Sequence, residues 1–469
     1  MRSLTEGPLS VHMIGIGGSG MSPIAKVLLE MGHRVTGSDL KSSTTIQNLA
    51  AMGAHIYQGH RAENVRGAEV VVISTAIAET NPELVAARAQ GIPVVHRSDM
   101  LAALLNARHG IAVAGAHGKT TVTSMIALVL ERAGLDPTVV IGGELNDIGG
   151  SAKYGKGPYV VAEADESDRS FLRYKPQTAV VTTIEADHLE YYDGTLDKLI
   201  ATFEEFLTNI PPNGLAVLGV DDERVRGIRG RLAGRTLTYA LEQAADYQAR
   251  EVALAERGST FTVYHRGTRL GHVELVVPGR HNVANALATL AVASEAGIPF
   301  EVARDHLATF HGAKRRFQFI GEEAGVTVVD DYAHHPTEIR ATLRAAREGW
   351  PGRRIVAVFQ PHRYTRTHFL MEEFGQAFGN ADLVVLGRIY SPPPEKPIPG
   401  VTAERLARLV EADLKRPVAL IEDNRDIVNY LARTVRPGDM VITMGAGDIW
   451  MVAEELVGRL RQERVPARC

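Results

Sequence analysis

The sequence predicts an α/β protein of three domains, each built on a mainly parallel sheet. Two observations carry this. The chain has 469 residues, enough for two to four domains of about 100–200 residues each. Three times along it, a short apolar run enters a glycine-rich or polar turn and then a helical pattern, the mark of a βα unit. Apolar residues make up 45% and charged residues 23%, so each domain can bury an ordinary core.

The first opening is VHMIGIGGSG, from Val11, with a helix expected from about Met21. Residues 33–39 (HRVTGSD) and 70–75 (VVVIST) read as further strands. Together they predict a Rossmann-like domain over residues 1–106. The second is GIAVAGAHGKTT, followed by PYVVAEAD (158–165) and TAVVTTIE (178–185). These apolar runs suit strands buried on both faces. They predict a central P-loop-type domain over 107–316. The third runs from VTVVDDYAHHP through RIVAVFQPHRYTRT and ADLVVLG to MVITMGAGDIW. It predicts a second Rossmann-like domain over 317–469, with the boundary near 316–319. Prolines in SPPPEKPIP (391–399) forbid helix and central strand, so that stretch is expected as a surface loop.

Bulk properties narrow the function. Net charge is −4, from 51 basic and 55 acidic residues. Nothing there draws the chain to nucleic acid or an anionic membrane. The one cysteine is Cys469, which rules out an internal disulfide or a Cys-based metal site. Residues 1–10 hold no apolar signal core, and no run of about 18 apolar residues occurs. The expectation is a cytoplasmic protein without a membrane partner.

Chemistry concentrates in five motifs. Gly115-Ala-His-Gly-Lys-Thr-Thr121 is a phosphate loop between a strand and a helix. Its first glycine lies only three residues before Gly118, so the loop is shorter than the standard form. Backbone N–H groups would still cradle phosphates, Lys119 would add charge, and the Thr120 hydroxyl could hold Mg²⁺. Gly15-x-Gly17-x-x-Gly20, with Asp39 after the next strand, matches a dinucleotide fingerprint. By itself it says only that a diphosphate could bind. AEADESDRSF (162–171) puts Glu163, Asp165, Glu166 and Asp168 after an apolar strand, placed for a metal or for a solvated turn; His188 follows the next strand. DDYAHHPTEI (330–339) pairs His334 with His335. Without cysteine, polar substrate contacts are favoured there over zinc. QPHRYTRT (360–367) offers Arg363 and Arg366, which could hold a carboxylate or phosphoryl group.

GAHGKTT, AEADESDRSFL, IEADH, HNVANALA (281–288), KRRF (314–317), DDYAHHPTEI and QPHRYTRT occur in one order, and that order resembles the Mur ligases. The resemblance runs from Val11 to Trp450. It is strongest to the branch that adds L-alanine to UDP-N-acetylmuramate. It implies an ATP- and Mg²⁺-dependent amide ligase of cell-wall precursor synthesis, working through an acyl phosphate, as a monomer or weak homodimer. It also implies residue roles. Gly15, Gly17, Gly18, Ser19 and Gly20 would hold the sugar nucleotide's diphosphate, with Asp39, His60 and Ser74 near its nucleoside or sugar. Gly115, Ala116, His117, Gly118, Lys119, Thr120 and Thr121 would hold ATP. Thr120, Glu163 and His188 would ligate the metal. His281, Asn282 and Asn285 would lie on the adenine side, and Arg315 and Asp330 would reach ATP. Tyr332, His334, Arg363 and Arg366 would form the alanine site, with His334 a candidate base. The family loop usually reads GTHGKT, so Ala116 departs from it; so does SPPPE at 391–395. A ligase that adds a tripeptide to the same sugar would share most of these features. A phosphate-loop regulator would share the loop but have no use for the third domain's histidines and arginines.

Overall fold

The computed structural model describes residues 4, 6–145, 150–392 and 395–463. Cys469 and two prolines of the 391–399 loop, Pro393 and Pro394, lie outside them. By contact the chain divides into two compact units. The first comprises residues 1–250, 262–273 and 284–310; the second comprises 251–261, 274–283 and 311–469.

Three sheets organise these residues. The first has β1 (Ser10–Ile14), β2 (Arg34–Asp39), β3 (His55–Gln58), β4 (Val70–Ile73) and β5 (Val94–His96), all parallel, in the order β3-β2-β1-β4-β5. Chain order reverses between β1 and β4. In such a sheet that switch point opens a crevice at the carboxyl ends of the strands, where ligands bind. The GIGGSG turn leaves β1 there.

The second sheet has ten strands: β6 (His109–Ala114), β7 (Thr138–Leu145), β8 (Gly150–Lys153), β9 (Tyr159–Glu163), β10 (Thr178–Val181), β11 (Leu215–Gly219), β12 (Arg235–Ala240), β13 (Tyr247–Ala255), β14 (Gly258–His265) and β15 (Thr268–Leu275). Their order is β15-β14-β13-β12-β11-β10-β6-β9-β7-β8. From β12 through β11, β10, β6 and β9 to β7 neighbouring strands run parallel, and β7–β8 is antiparallel. β10 is buried along its length, as its unbroken apolar run requires. The helix Lys119–Arg132 that follows β6 is buried from Thr120 to Leu130. Its small hydroxyl residues Thr120, Thr121, Thr123 and Ser124 are buried along with its apolar ones.

The third sheet has β16 (Gln318–Glu323), β17 (Val326–Asp331), β18 (Arg354–Phe359), β19 (Leu383–Leu386), β20 (Ala419–Leu420) and β21 (Asp439–Met444), in the order β16-β17-β21-β18-β19-β20. Only its edge pair, β16 with β17, is antiparallel. Apolar clusters cover both faces, one around Phe359, Phe374 and Phe378, the other around Val358, Ile427 and Leu456. Among the described residues no helix is long and apolar enough to cross a membrane.

Strand ends differ from the sequence expectation in one useful way. The runs expected at 158–165 and 178–185 stop at Glu163 and Val181. Asp165, Glu166 and Asp168 therefore leave the ladder and turn back across the sheet's carboxyl edge.

Candidate functional site

The phosphate loop is shaped by two glycines that nothing else could replace. Gly115 has φ +131°, and a Cβ on it would lie 2.1 Å from Thr182 Oγ1. Gly118 is left-handed, φ +82°, and starts the helix Lys119–Arg132. The loop is tied to the end of β10: Ala116 N–H donates to the Thr183 carbonyl (2.8 Å), and Thr182 Oγ1 donates to the His117 carbonyl (2.5 Å). A Cβ on Gly118 would meet Asn285 Oδ1 at 2.8 Å, so Asn285 reaches the loop. His281 and Asn282 open the same helix, Arg280–Glu295; Asn282 Nδ2 donates to the Pro278 carbonyl at 2.7 Å.

Lys119 curls over this loop. Its Nζ donates to the Gly115 carbonyl (2.5 Å) and to both oxygens of Glu166 (2.8 and 2.9 Å). Burial alone would lower the lysine's pKa, but Glu166, Asp165 and Glu163 outweigh it and hold the amine above its ordinary value. Burial raises Glu166 in turn; Lys119 offsets this only in part, and Asp165 adds to the rise. Both partners of the ion pair thus sit high, the lysine because several carboxylates face it and Glu166 chiefly because it is buried. That excess negative charge suits a divalent cation bound by oxygen ligands. The buried Tyr192 hydroxyl donates to the Glu166 carbonyl and fixes the turn.

A glycine pair brings two of the expected metal ligands together. Gly142 N–H donates to Glu163 Oε1 at 2.8 Å. A Cβ on Gly142 would lie 3.1 Å from Glu163 Oε2, and one on Gly143 2.9 Å from Thr120 Cγ2. Glu163 and Thr120 therefore line one cradle that side chains at 142 and 143 would fill. His188 is left-handed, φ +55°, and pairs with Asp187 and Glu190 on its own turn. Its expected partnership with Thr120 and Glu163 is not formed by these contacts.

The first sheet's glycine turn faces the acidic turn of the second through Arg97, which the sequence reading missed. Arg97 Nη2 lies 3.2 Å from Asp165 and 3.8 Å from Asp168. Its guanidinium lies against Gly20, where a Cβ would come within 3.1 Å of Nη1. Asp39 Oδ2 accepts from Gly17 N–H at 3.0 Å, so in this state the acid shapes the glycine turn. Gly15 is left-handed (φ +74°). Gly18 accepts from Met21 and Ser22 N–H, closing the turn into the helix Ser22–Glu30. His60 follows β3 and Ser74 follows β4, both partly buried at the carboxyl edge.

In the second unit, Tyr332, His334 and Arg366 form one cluster through His362, which was not singled out from the sequence; Arg363 adjoins it in the chain, its N–H donating to the Tyr390 carbonyl. The His334 ring is 5.2 Å from the Tyr332 ring and 6.0 Å from that of His362, centroid to centroid. Arg366 Nη1 donates to His362 Nδ1 at 3.3 Å. His334 Nδ1 lies 2.8 Å from the Tyr332 carbonyl. A carbonyl only accepts, so that nitrogen carries the proton and Nε2 is left basic. His335 caps the helix Pro336–Gly349, its Nδ1 accepting from Thr337 N–H, so the adjacent histidines have separate tasks here. Arg315 donates to Asp330 Oδ2 at 2.8 Å and to the Gly445 carbonyl at 2.6 Å, and lies over the Tyr332 ring. Arg363 begins the short helix Tyr364–Phe369. Glu395, from the proline-rich loop, accepts from Tyr364 N–H (3.1 Å), Thr365 N–H (3.0 Å), Thr365 Oγ1 (2.6 Å) and Ser391 Oγ (2.6 Å).

A phosphate loop whose lysine sits among carboxylates at a sheet's carboxyl edge defines an enzyme that works on a nucleoside triphosphate. Three family models cover the chain in order: the Mur ligase family catalytic domain over residues 10–109, the Mur ligase middle domain over 113–293 and the Mur ligase glutamate ligase domain over 315–447. The chain belongs to the Mur ligase family, and it is an ATP-dependent ligase. It is 51% identical over 461 residues to a UDP-N-acetylmuramate–L-alanine ligase of Symbiobacterium thermophilum, covering 97% of this chain and 95% of that one. It is 52% identical over 455 residues to a ligase of the same name from Pelotomaculum thermopropionicum, covering 97% and 98%. The crystal structure of a Thermotoga maritima UDP-N-acetylmuramate–alanine ligase superimposes with a TM-score of 0.83 at 29% identity, over 97% of this chain and 100% of that one.

Proposed function

We propose that this chain joins L-alanine to UDP-N-acetylmuramate, driven by ATP, in the synthesis of peptidoglycan precursors in the cytoplasm. The observation that carries the reading is the buried Lys119–Glu166 pair in the phosphate loop, in a chain about half identical to ligases of that name along nearly its whole length. Residues 1–106 are assigned to the sugar nucleotide, 107–316 to ATP and 317–469 to the amino acid, in a monomer or weak homodimer.

The chemistry follows from the groups present. A carboxylate is a poor electrophile, so it must first be activated. The lactyl carboxylate of the sugar attacks the γ-phosphorus of ATP; ADP leaves and an acyl phosphate forms. The α-amine of alanine attacks the acyl carbon, phosphate leaves, and the amine proton passes to a base. His334 suits that role, since its Nδ1–H is held by the Tyr332 carbonyl and the lone pair is then on Nε2. Arg363 and Arg366 hold the alanine carboxylate. Lys119 and the backbone of residues 115–121 hold the phosphates. Thr120 and Glu163, with His188 from the turn after β10, would hold Mg²⁺, and the ion would neutralise charge on the transferred phosphoryl group.

The test is phosphate release from ATP with UDP-N-acetylmuramate and Mg²⁺. Release that needs both the sugar nucleotide and L-alanine is expected. Release with an L-Ala-D-Glu-containing tripeptide but not with alanine would move the assignment to the tripeptide ligase. No release with any amine would remove it altogether.

A further inference from the structure

The first sheet buries an acid that the chemistry above leaves without a role. Glu83 lies in the first turn of the helix Pro82–Ala89, and its side chain is fully enclosed. It accepts from Ser38 Oγ at 2.5 Å and from Asn64 Nδ2 at 2.5 Å. Arg61 N–H reaches it at 3.4 Å, His60 Nδ1 lies at 3.3 Å and His12 Nε2 at 3.5 Å. On its other side, His12 Nδ1 is 2.8 Å from Thr36 Oγ1. Burial pushes the Glu83 carboxyl up, but bonds from His12, Ser38 and Asn64 outweigh it and hold it down, at about 2. The group is a carboxylate throughout the working range.

Proton positions follow by elimination. A carboxylate only accepts, so Ser38 gives its one O–H to Glu83. Ser38 Oγ also lies 3.0 Å from His60 Nδ1, and there it can only accept. Both groups facing Nδ1 are acceptors, so Nδ1 carries a proton. In a neutral imidazole Nε2 is then a bare acceptor. The place is apt. His60 keeps 15% of its side chain exposed at the carboxyl edge of the first sheet. The Ser38 carbonyl accepts the N–H groups of Gly15 and Ile16, so the pair adjoins the glycine turn.

We propose that Glu83 and Ser38 hold His60 in its Nδ1–H form, so that Nε2 faces the nucleotide base as an acceptor and selects uracil over cytosine. Uracil N3 carries a hydrogen; cytosine N3 carries a lone pair. Two acceptors brought together leave both unpaired, a loss of about ten- to a hundredfold in affinity. The proposal rests on the sugar-nucleotide reading above. Glu83 is a positioning residue here, acting through His60.

Two measurements on the intact chain test it. The first is the ¹⁵N spectrum of the His60 ring in ligand-free protein at about pH 8, assigned with a His60→Gln variant. A protonated Nδ1 with a bare Nε2 is expected; a protonated Nε2, alone or with Nδ1, overturns the proposal. The second is calorimetric binding of UDP, CDP and N3-methyl-UDP. UDP should bind about tenfold or more tighter than the other two. Glu83→Gln, whose amide can donate to Nδ1, should bring UDP and CDP close to parity while ATP affinity stays as it was. Equal binding of UDP and CDP by the wild type removes the base selection and leaves the sugar-nucleotide reading standing. Binding of neither removes both. If Glu83→Gln does not fold, the wild-type spectrum and the three wild-type affinities decide the matter.

Discussion

At the scale of single residues, Lys119 matters most. Its ammonium is held between the Gly115 carbonyl and Glu166, close to where a β/γ-phosphate would lie in this loop. Lys119→Ala should lower the turnover of sugar-dependent phosphate release by about 10²–10³-fold or more, the scale of removing one group that stabilises transition-state charge. A variant that kept a tenth of the activity would show that Lys119 only fills the loop. This lysine was legible in the sequence because G-x-x-G-K-T between strand and helix has one physical meaning. Glu166 was not. It stands in a run of four acids, and only the fold shows that it turns inward to Lys119 while Asp165 and Asp168 meet Arg97. Arg97, Glu83 and His362 were illegible for the same reason: each acts through a partner tens of residues away. The hint for Glu83 was an acid directly after Asn-Pro at a helix start, which capping alone also explains.

At the scale of elements, strands and glycine turns were readable from apolar runs and spacing, and their ends were not. The 391–399 loop shows why. Its described residues, 391–392 and 395–399, form neither helix nor strand, yet its role depends on Glu395 capping the helix behind Arg363. Glu395→Gln turns one acceptor into a donor that faces N–H groups. The KM for L-alanine should rise about tenfold, the scale of one charge-assisted hydrogen bond, while the KM for ATP moves less than twofold. An unchanged alanine KM would detach this loop from the amino-acid site. The two glycine elements of the ATP site should respond differently from each other. Gly115→Ala combines a left-handed backbone with a 2.1 Å approach to Thr182. It should cost about 1–3 kcal/mol or more in stability and abolish ATP binding. Gly143 has an ordinary backbone and meets only the Thr120 methyl group, at 2.9 Å. Gly143→Ala should fold with a melting temperature within a few degrees of wild type, yet need several-fold more Mg²⁺ for half-maximal rate. Equal loss of stability in both would mean that the 142–143 cradle is a packing feature only.

At the scale of the whole molecule, the two units should answer pH in opposite ways. In the first, Glu83 drops from 4.5 to about 2 on folding. A lowered acid adds stability above its unfolded value, and that stability is lost as pH falls through the folded value. At about 1.36 kcal/mol per pKa unit it is worth about 3 kcal/mol, constant above about pH 5 and fading towards pH 2. In the second unit, Asp331 rises from 3.8 to about 6. Burial drives the rise; Arg316 and the N–H groups of Ala333 and Phe317 oppose it, and Glu338 adds to it. Asp331 sits at the end of β17, 7% exposed. A raised acid adds stability below its unfolded value, and that stability is lost as pH rises through the folded value. The second unit should therefore lose about 3 kcal/mol between about pH 4 and 7, roughly 6–12 °C in melting temperature for a unit of this size. Each unit has its own core, so calorimetry can follow two transitions. Asp331→Asn should melt lower than wild type at pH 4, because one of its two backbone bonds, to Phe317 or Ala333, is lost. Its upper-range slope should nevertheless vanish, so that the two curves converge towards pH 7. The same slope in wild type and Asp331→Asn would assign the pH dependence to another group, and a first transition that also falls between pH 5 and 7 would show that the two units do not melt independently.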